Sequence, residues 1–130
     1  MSLNVPDELL EQAERGEIDD EAFVACVRES LPYAWETITR TIGNLEVSGG
    51  DFADDNTSPP DEQARGQLLR ALASDSIRGA LERHFDVRLA FQNCCRVGAF
   101  TPKGAESRTY ITFTSTHAQI LNQTPELRDC

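Results

Sequence analysis

Two adjacent cysteines, Cys94 and Cys95, sit between Arg88 and Arg96 in the stretch RLAFQNCCR. The thiolate is the nucleophile and metal ligand that cysteine offers, and neighbouring guanidinium groups lower a thiol pKa. Successive side chains on a strand point to opposite faces. If a strand runs on in register from Phe91, Cys95 and Val97 face the core. Cys94 then shares the polar face with Arg88, Gln92 and Arg96; a bulge at Asn93 would exchange the two. This makes Cys94 the candidate catalytic nucleophile and Arg88, Gln92 and Arg96 a candidate ligand-binding set. The competing reading is two packed, inert thiols, the common fate of free cysteine. Pointing apart, the pair cannot grip one metal ion unless the backbone is bent. There is no CxxC, no zinc-finger spacing, no P-loop, no dinucleotide fingerprint, no nucleophile elbow and no HExxH. No metal and no cofactor are therefore expected.

The other chemistry-bearing residues are weaker candidates. His84 and His117 are the only imidazoles, and neither has metal-site spacing with a cysteine. Asp51, Asp54, Asp55 and Asn56 could face a hard cation, but they lack the alternate-position ligands and central Gly of an EF-hand, which favours a solvated loop. Six arginines, Arg65, Arg70, Arg78, Arg83, Arg88 and Arg96, fall close together. At about 100° per residue, they form no continuous stripe of the kind nucleic acid needs. Arg70 and Arg83 lie opposite their local apolar faces and should be solvated. Arg78 is at a boundary. Arg65 should reach inward to a carboxylate or carbonyls, as a structural residue. Tyr33 and Trp35 keep helical spacing with Ile38 and Ile42, which makes them core anchors.

The elements that must position these residues can be read in order. Pro6 and the acids after it open a short helix that Gly16 closes. Asp19 caps the next, with Ile18 and Phe23 as a hydrophobic staple. Pro32 breaks it. Trp35, Ile38, Ile42 and Leu45 continue as a third helix. Residues 48–61, SGGDFADDNTSPPD, read as a mobile acidic loop. From 61 to 85 the apolar residues switch direction by roughly 150°. That requires a break near Ala73-Ser74-Asp75, with Ser74 or Asp75 as a new cap. After Asp86 the period becomes two, a half-buried strand, and Val97 to Phe100 continues it or pairs with it. Thr101 to Gly104 is a turn. Residues 108–114, RTYITFT, are rich in β-formers and predict another strand. Ser115 to Gln123 predicts a short last helix. Helices first and strands later imply an α+β fold: N-terminal helices, then a small antiparallel sheet or hairpin and a short C-terminal helix, in one domain spanning 1–130.

Charge is divided along the chain. Residues 1–62 carry sixteen Asp/Glu against three Arg, and residues 63–130 carry six against nine Lys/Arg. The net charge of −10 repels nucleic acid and anionic membrane. The first residues lack a basic n-region and apolar run, so no signal peptide is expected, and no segment has a membrane span's length. A cytoplasmic protein follows, with free thiols. Opposite-signed halves can pair within one chain or between copies, so a homo-oligomer is consistent with this pattern.

Several blocks carry a resemblance: Ser30-Leu31-Pro32-Tyr33-Ala34-Trp35, the run from Arg65 to Asp75, Leu89 to Cys94, and the tail from Leu121 to Cys130. Together they resemble a family of short, acidic actinobacterial, Streptomyces-type, proteins of unknown function. The resemblance spans nearly the whole chain and implies a stand-alone cytosolic protein with no catalytic residue to carry over. The sequence thus favours a non-enzymatic protein-interaction or regulatory protein. The alternative is a small-ligand-binding or thiol-dependent accessory enzyme using Cys94, Arg88 and Arg96.

Overall fold

The computed structural model describes residues 2–92 and 95–121. Helix α1 (Asp7–Arg15) follows Pro6 and ends on Gly16, whose φ of 74° is the left-handed cap conformation that lacks a Cβ penalty. Helix α2 (Asp20–Ser30) starts after Asp19, as expected, but that side chain makes no capping bond. The Asp19 N–H donates instead to Gln12 Oε1 at 3.0 Å, which ties α1 to α2. Ile18, the expected staple partner of Phe23, is exposed.

Pro32 does break the helix, and α3 (Pro32–Ser48) begins on it. Pro32 supplies no N–H, and Leu31 in the cap position has no side-chain acceptor, so the Tyr33 and Ala34 N–H groups would be left open. The buried side chain of Gln67 closes them: its Oε1 accepts from Tyr33 N at 2.7 Å and from Ala34 N at 3.2 Å. Gln67 belongs to α4 (Glu62–Leu72), so α4 caps α3 from outside.

The break between α4 and α5 (Asp75–Phe85) falls where the apolar directions switch, with Ser74 Oγ accepting from Ile77 N. Arg78 fixes the corner by donating to Leu72 O at 3.0 Å and to Asp75 Oδ1 at 2.6 Å. Two helices at this corner let Leu68, Ala71 and Leu72, and Ile77, Ala80 and Leu81, enter one core.

Three antiparallel strands complete the α+β fold: β1 (Phe52–Asp55), β2 (Arg88–Gln92) and β3 (Arg96–Phe100), in the order β1-β3-β2. Strand β1 corrects the loop expected over 48–61. Its FADD sequence is a weak strand signal, and it forms because β3 offers it a ladder from Phe52↔Phe100 to Asp55↔Val97. The inner face carries Ala53, Leu89, Val97 and Ala99 and packs on the helices, chiefly α3. Asp55 also points inward, where Arg40 Nε of α3 donates to Oδ2 at 2.8 Å.

Residues 108–114 correct the predicted strand. They form helix α6 (Arg108–Phe113), capped by Ser107 Oγ, which accepts from Tyr110 N at 3.2 Å. β-propensity yields here to packing, because the helix lays Tyr110 and Phe113 over the outer sheet face. Helix α7 (Thr116–Leu121) follows, its Ala118 N–H bonded to Ser115 Oγ. Among the described residues no helix is long and apolar enough to cross a membrane.

Two outcomes follow. Gln67→Leu keeps the volume but strands two helix N–H groups, so urea unfolding should show a loss of about 1–3 kcal/mol; a change within about 0.5 kcal/mol would mean the cap contributes nothing. At Asp55, burial pushes the carboxyl up, but the Arg40 hydrogen bond and the Thr57 contacts outweigh it and hold the pKa below its ordinary 3.8. Stability from a depressed carboxyl is complete above the unfolded value and fades as pH falls through the folded one. Asp55→Asn should therefore lower stability at neutral pH, and its deficit should shrink as pH drops below about 4. Parallel unfolding curves down to low pH would contradict this assignment.

Candidate functional site

The ladder puts Arg88, Ala90 and Gln92 of β2 on one face with Phe100, Gly98 and Arg96 of β3 and Phe52 and Asp54 of β1. Arg88, Gln92 and Arg96 thus share a face, as expected, but through the hairpin pairing of Gln92 with Arg96 and not along one continuous strand. Most of that face is covered, beyond what a half-buried strand implies: Gln92 is 2% exposed and Phe100 fully buried, while Arg88 at its edge stays exposed. Alternation along a strand defines two faces but does not say that the second is left uncovered.

The cover is an aromatic layer. Phe100 stacks on Phe52 at 4.8 Å between ring centres and meets Tyr110 and Phe113 edge-on at 5.0 and 5.7 Å. Gly98 lies beneath it: a Cβ there would come within 2.9 Å of Phe113 Cζ. The missing side chain is what lets the Phe113 ring reach the sheet. An isolated glycine inside a strand is a signal for such a close approach, and it is the clue in the sequence to this contact.

Arginines close the layer at both ends. Arg96 stands over the Phe113 ring at 4.9 Å, donates from Nε to Asp54 Oδ2 at 2.8 Å and from Nη1 to Gln92 Oε1 at 3.2 Å. Gln92 Nε2 donates to Phe113 O at 2.7 Å, which pins the end of α6. Arg88 lies over Tyr110 at 5.9 Å and 3.5 Å from Glu82, whose Oε2 also accepts from Leu89 N. Four residues of strand separate the two arginines, about 13 Å at the usual rise. They bracket the layer and do not converge on one anion.

The thiols divide differently from the candidate site. Cys94 lies outside the described residues, and so does Cys130. The strand does not run on from Phe91: the chain turns back between β2 and β3, and Cys95, in that turn with a φ of 63°, is nevertheless buried with Val97 in the core. Burial pushes its thiol pKa up against the opposing charge of Arg65, with Glu62 adding to the rise. A raised pKa and a closed core make Cys95 a packing residue rather than a nucleophile. Cys26 is buried as well, its Sγ 3.4 Å from Asn4 O.

Arg65 does turn inward, but its Nε is buried without a hydrogen-bond partner, and its nearest carboxylate is the exposed Glu62 of its own helix at 3.7 Å. Trp35 and Tyr33 pack against the core half-buried, Trp35 with Phe85 at 5.4 Å and with Arg28 over its ring at 5.9 Å. Arg83 is exposed, as expected, and from there forks Asp20 through Nε at 2.8 Å and Nη2 at 3.1 Å. The loop acids part: Asp54 goes to Arg96, Asp55 to Arg40, and Asp51 to the Thr101 hydroxyl. No group of His, Cys, Asp and Glu among the described residues is arranged for a metal ion.

Beside Arg96 the outer face opens into a cavity of about 450 Å³ bounded by Phe52, Phe113, Arg108 and Ala118. Arg108, Thr109 and Thr112 stand at it; nothing in their local sequence pointed there, because they fall in the stretch that reads as a strand.

If the Phe113 ring is seated on Gly98, then Gly98→Ala must displace it. Unfolding should cost about 1–3 kcal/mol less than in the parent, and amide exchange should quicken in α6. Unchanged stability and exchange would remove the glycine from the account.

The comparisons with known proteins bear on the chain as a whole. No curated protein and no solved structure matches it. A family model described as NucS shadow ORF matches residues 1–130, a description that names a reading frame and assigns no activity. On that full-length match the chain belongs to the NucS shadow ORF family.

Proposed function

We propose that the chain is a non-enzymatic interaction or regulatory protein of the actinobacterial cytoplasm, whose partner is a protein with a basic surface. The supporting observation is the state of the acids in the first two helices. Asp20 is paired with Arg83, whereas Asp7, Glu8, Glu11, Glu14, Glu17 and Asp19 are exposed and form no ion pair among the described residues. The charge division is therefore only partly used inside the molecule. Two pairs, Arg83–Asp20 and Arg96–Asp54, join distant parts of the halves, and the first helix keeps its surplus. Half-exposed Val5, Leu10 and Ile18 interrupt these acids. Apolar side chains among uncompensated charge suit protein recognition: the charge steers and selects, and the aliphatic groups are desolvated on contact. Arg88 and Arg96 lie over the Tyr110 and Phe113 rings of α6 at opposite ends of the aromatic layer and do not converge on one centre, which supports a non-catalytic reading.

Affinity capture on the immobilised chain tests this, comparing the parent with Glu8→Gln/Glu11→Gln/Glu14→Gln. A specific basic protein should be retained at roughly 0.1 M salt and released towards 1 M, as the Debye length falls from about 10 to about 3 Å. The triple variant should retain much less of it. Capture of no specific protein at any salt, or equal capture by the variant, would overturn the proposal.

A further inference from the structure

We infer that the cavity between the outer sheet face and helices α6 and α7 binds a small monocarboxylate with a flat apolar body. Its volume of about 450 Å³ is within the range of small-molecule sites. Its walls are the rings of Phe52 and Phe113 with Ala118, and among the described residues its only charged lining groups are Arg96 and Arg108. The chain has 22 acidic residues against 12 basic ones, yet no carboxylate of the described residues lines this cavity. Among the described residues Arg108 forms no ion pair or side-chain hydrogen bond. Arg96 commits Nε to Asp54 and Nη1 to Gln92, which orients the guanidinium and leaves Nη2 without a partner among the described residues. A fixed guanidinium and a free one beside an apolar slot provide charge-assisted donors for a carboxylate, and the rings provide a surface for its body.

The neighbouring cavity of about 370 Å³ lacks this character. Glu82 lines it together with Arg78 and Arg88, and those arginines are paired with Asp75 and Glu82. The proposed site shares no residue with the acidic surface of α1 and α2, so it stands or falls separately from the partner reading.

The test is a nitrogen-15 amide titration of the whole chain with phenylacetate, with phenylacetamide and inorganic phosphate as parallel arms. Phenylacetate should produce saturable shifts at Phe52, Thr109, Thr112 and Phe113. Phenylacetamide and phosphate should each bind at least roughly tenfold more weakly, because one lacks the charge and the other the apolar body. Arg108→Gln should weaken phenylacetate by a similar factor with an unchanged melting temperature, since the Arg108 side chain holds nothing in place. Thr112→Trp, which fills the cavity mouth from an exposed position, should block binding independently. Equal affinity for phenylacetate and phenylacetamide overturns the anion site, and equal affinity for phosphate overturns the apolar slot. Shifts confined to other residues, no saturable shifts, or full affinity in both variants would each overturn the proposal outright.

Discussion

Strand β3 has no face left for water: Val97 and Ala99 turn to the helices, while Gly98 and Phe100 turn to α6, and all four are buried. A central strand of this kind is stable only when both faces of its sheet are covered. The inner cover is supplied by the helices, with α3 lying across the sheet. The outer cover is α6, a helix of six residues that could not persist alone. It is held by a Ser107 cap, by Phe113 on Gly98, by the Gln92 bond to Phe113 O, and by the Arg96 guanidinium over the Phe113 ring. Strand β1, itself a weak strand, is recruited by the same need, since it extends both faces and adds Phe52 to the aromatic layer.

The charges follow this layering. Each long-range ion pair joins elements whose apolar contacts already bring them together: Arg40–Asp55 joins α3 to β1, Arg96–Asp54 joins β3 to β1, and Arg83–Asp20 joins α5 to α2. The exposed Arg83–Asp20 pair orients more than it stabilises. Asp55 differs because its side chain is 7% exposed, and without Arg40 it would be a buried carboxylate lacking its counter-charge. The arginines of the second half thus act one at a time, as local clips. Their sum is not a basic surface, and the acids of α1 remain outside the arrangement.

Much of the helical body was legible. Pro32, Gly16, Ser74 and the reversal of apolar direction between Leu72 and Ile77 mark boundaries by steric or hydrogen-bonding rules that act over a few residues. Alternation marked both strands but left open whether residues 97–100 continue the first or pair with it; the chain turns after Gln92, and Cys95 is buried from that turn rather than from a continuous strand. The candidate site was legible only in part. The common face of Arg88, Gln92 and Arg96 is a property of strand geometry, but their partners, Asp54, Glu82, Tyr110 and Phe113, come from other elements. Gln67 as a cap for α3 left no local trace, because its acceptor reaches a helix 33 residues away.

The sequence by itself determined where the chain turns, which residues can enter a core, and how unevenly its charge is distributed, since these depend on neighbouring residues and on composition. Tertiary structure alone decided that RTYITFT is a helix and that FADD is a strand. In both, intrinsic preference is worth less than the burial gained by covering β3, and that gain exists only once the sheet has formed.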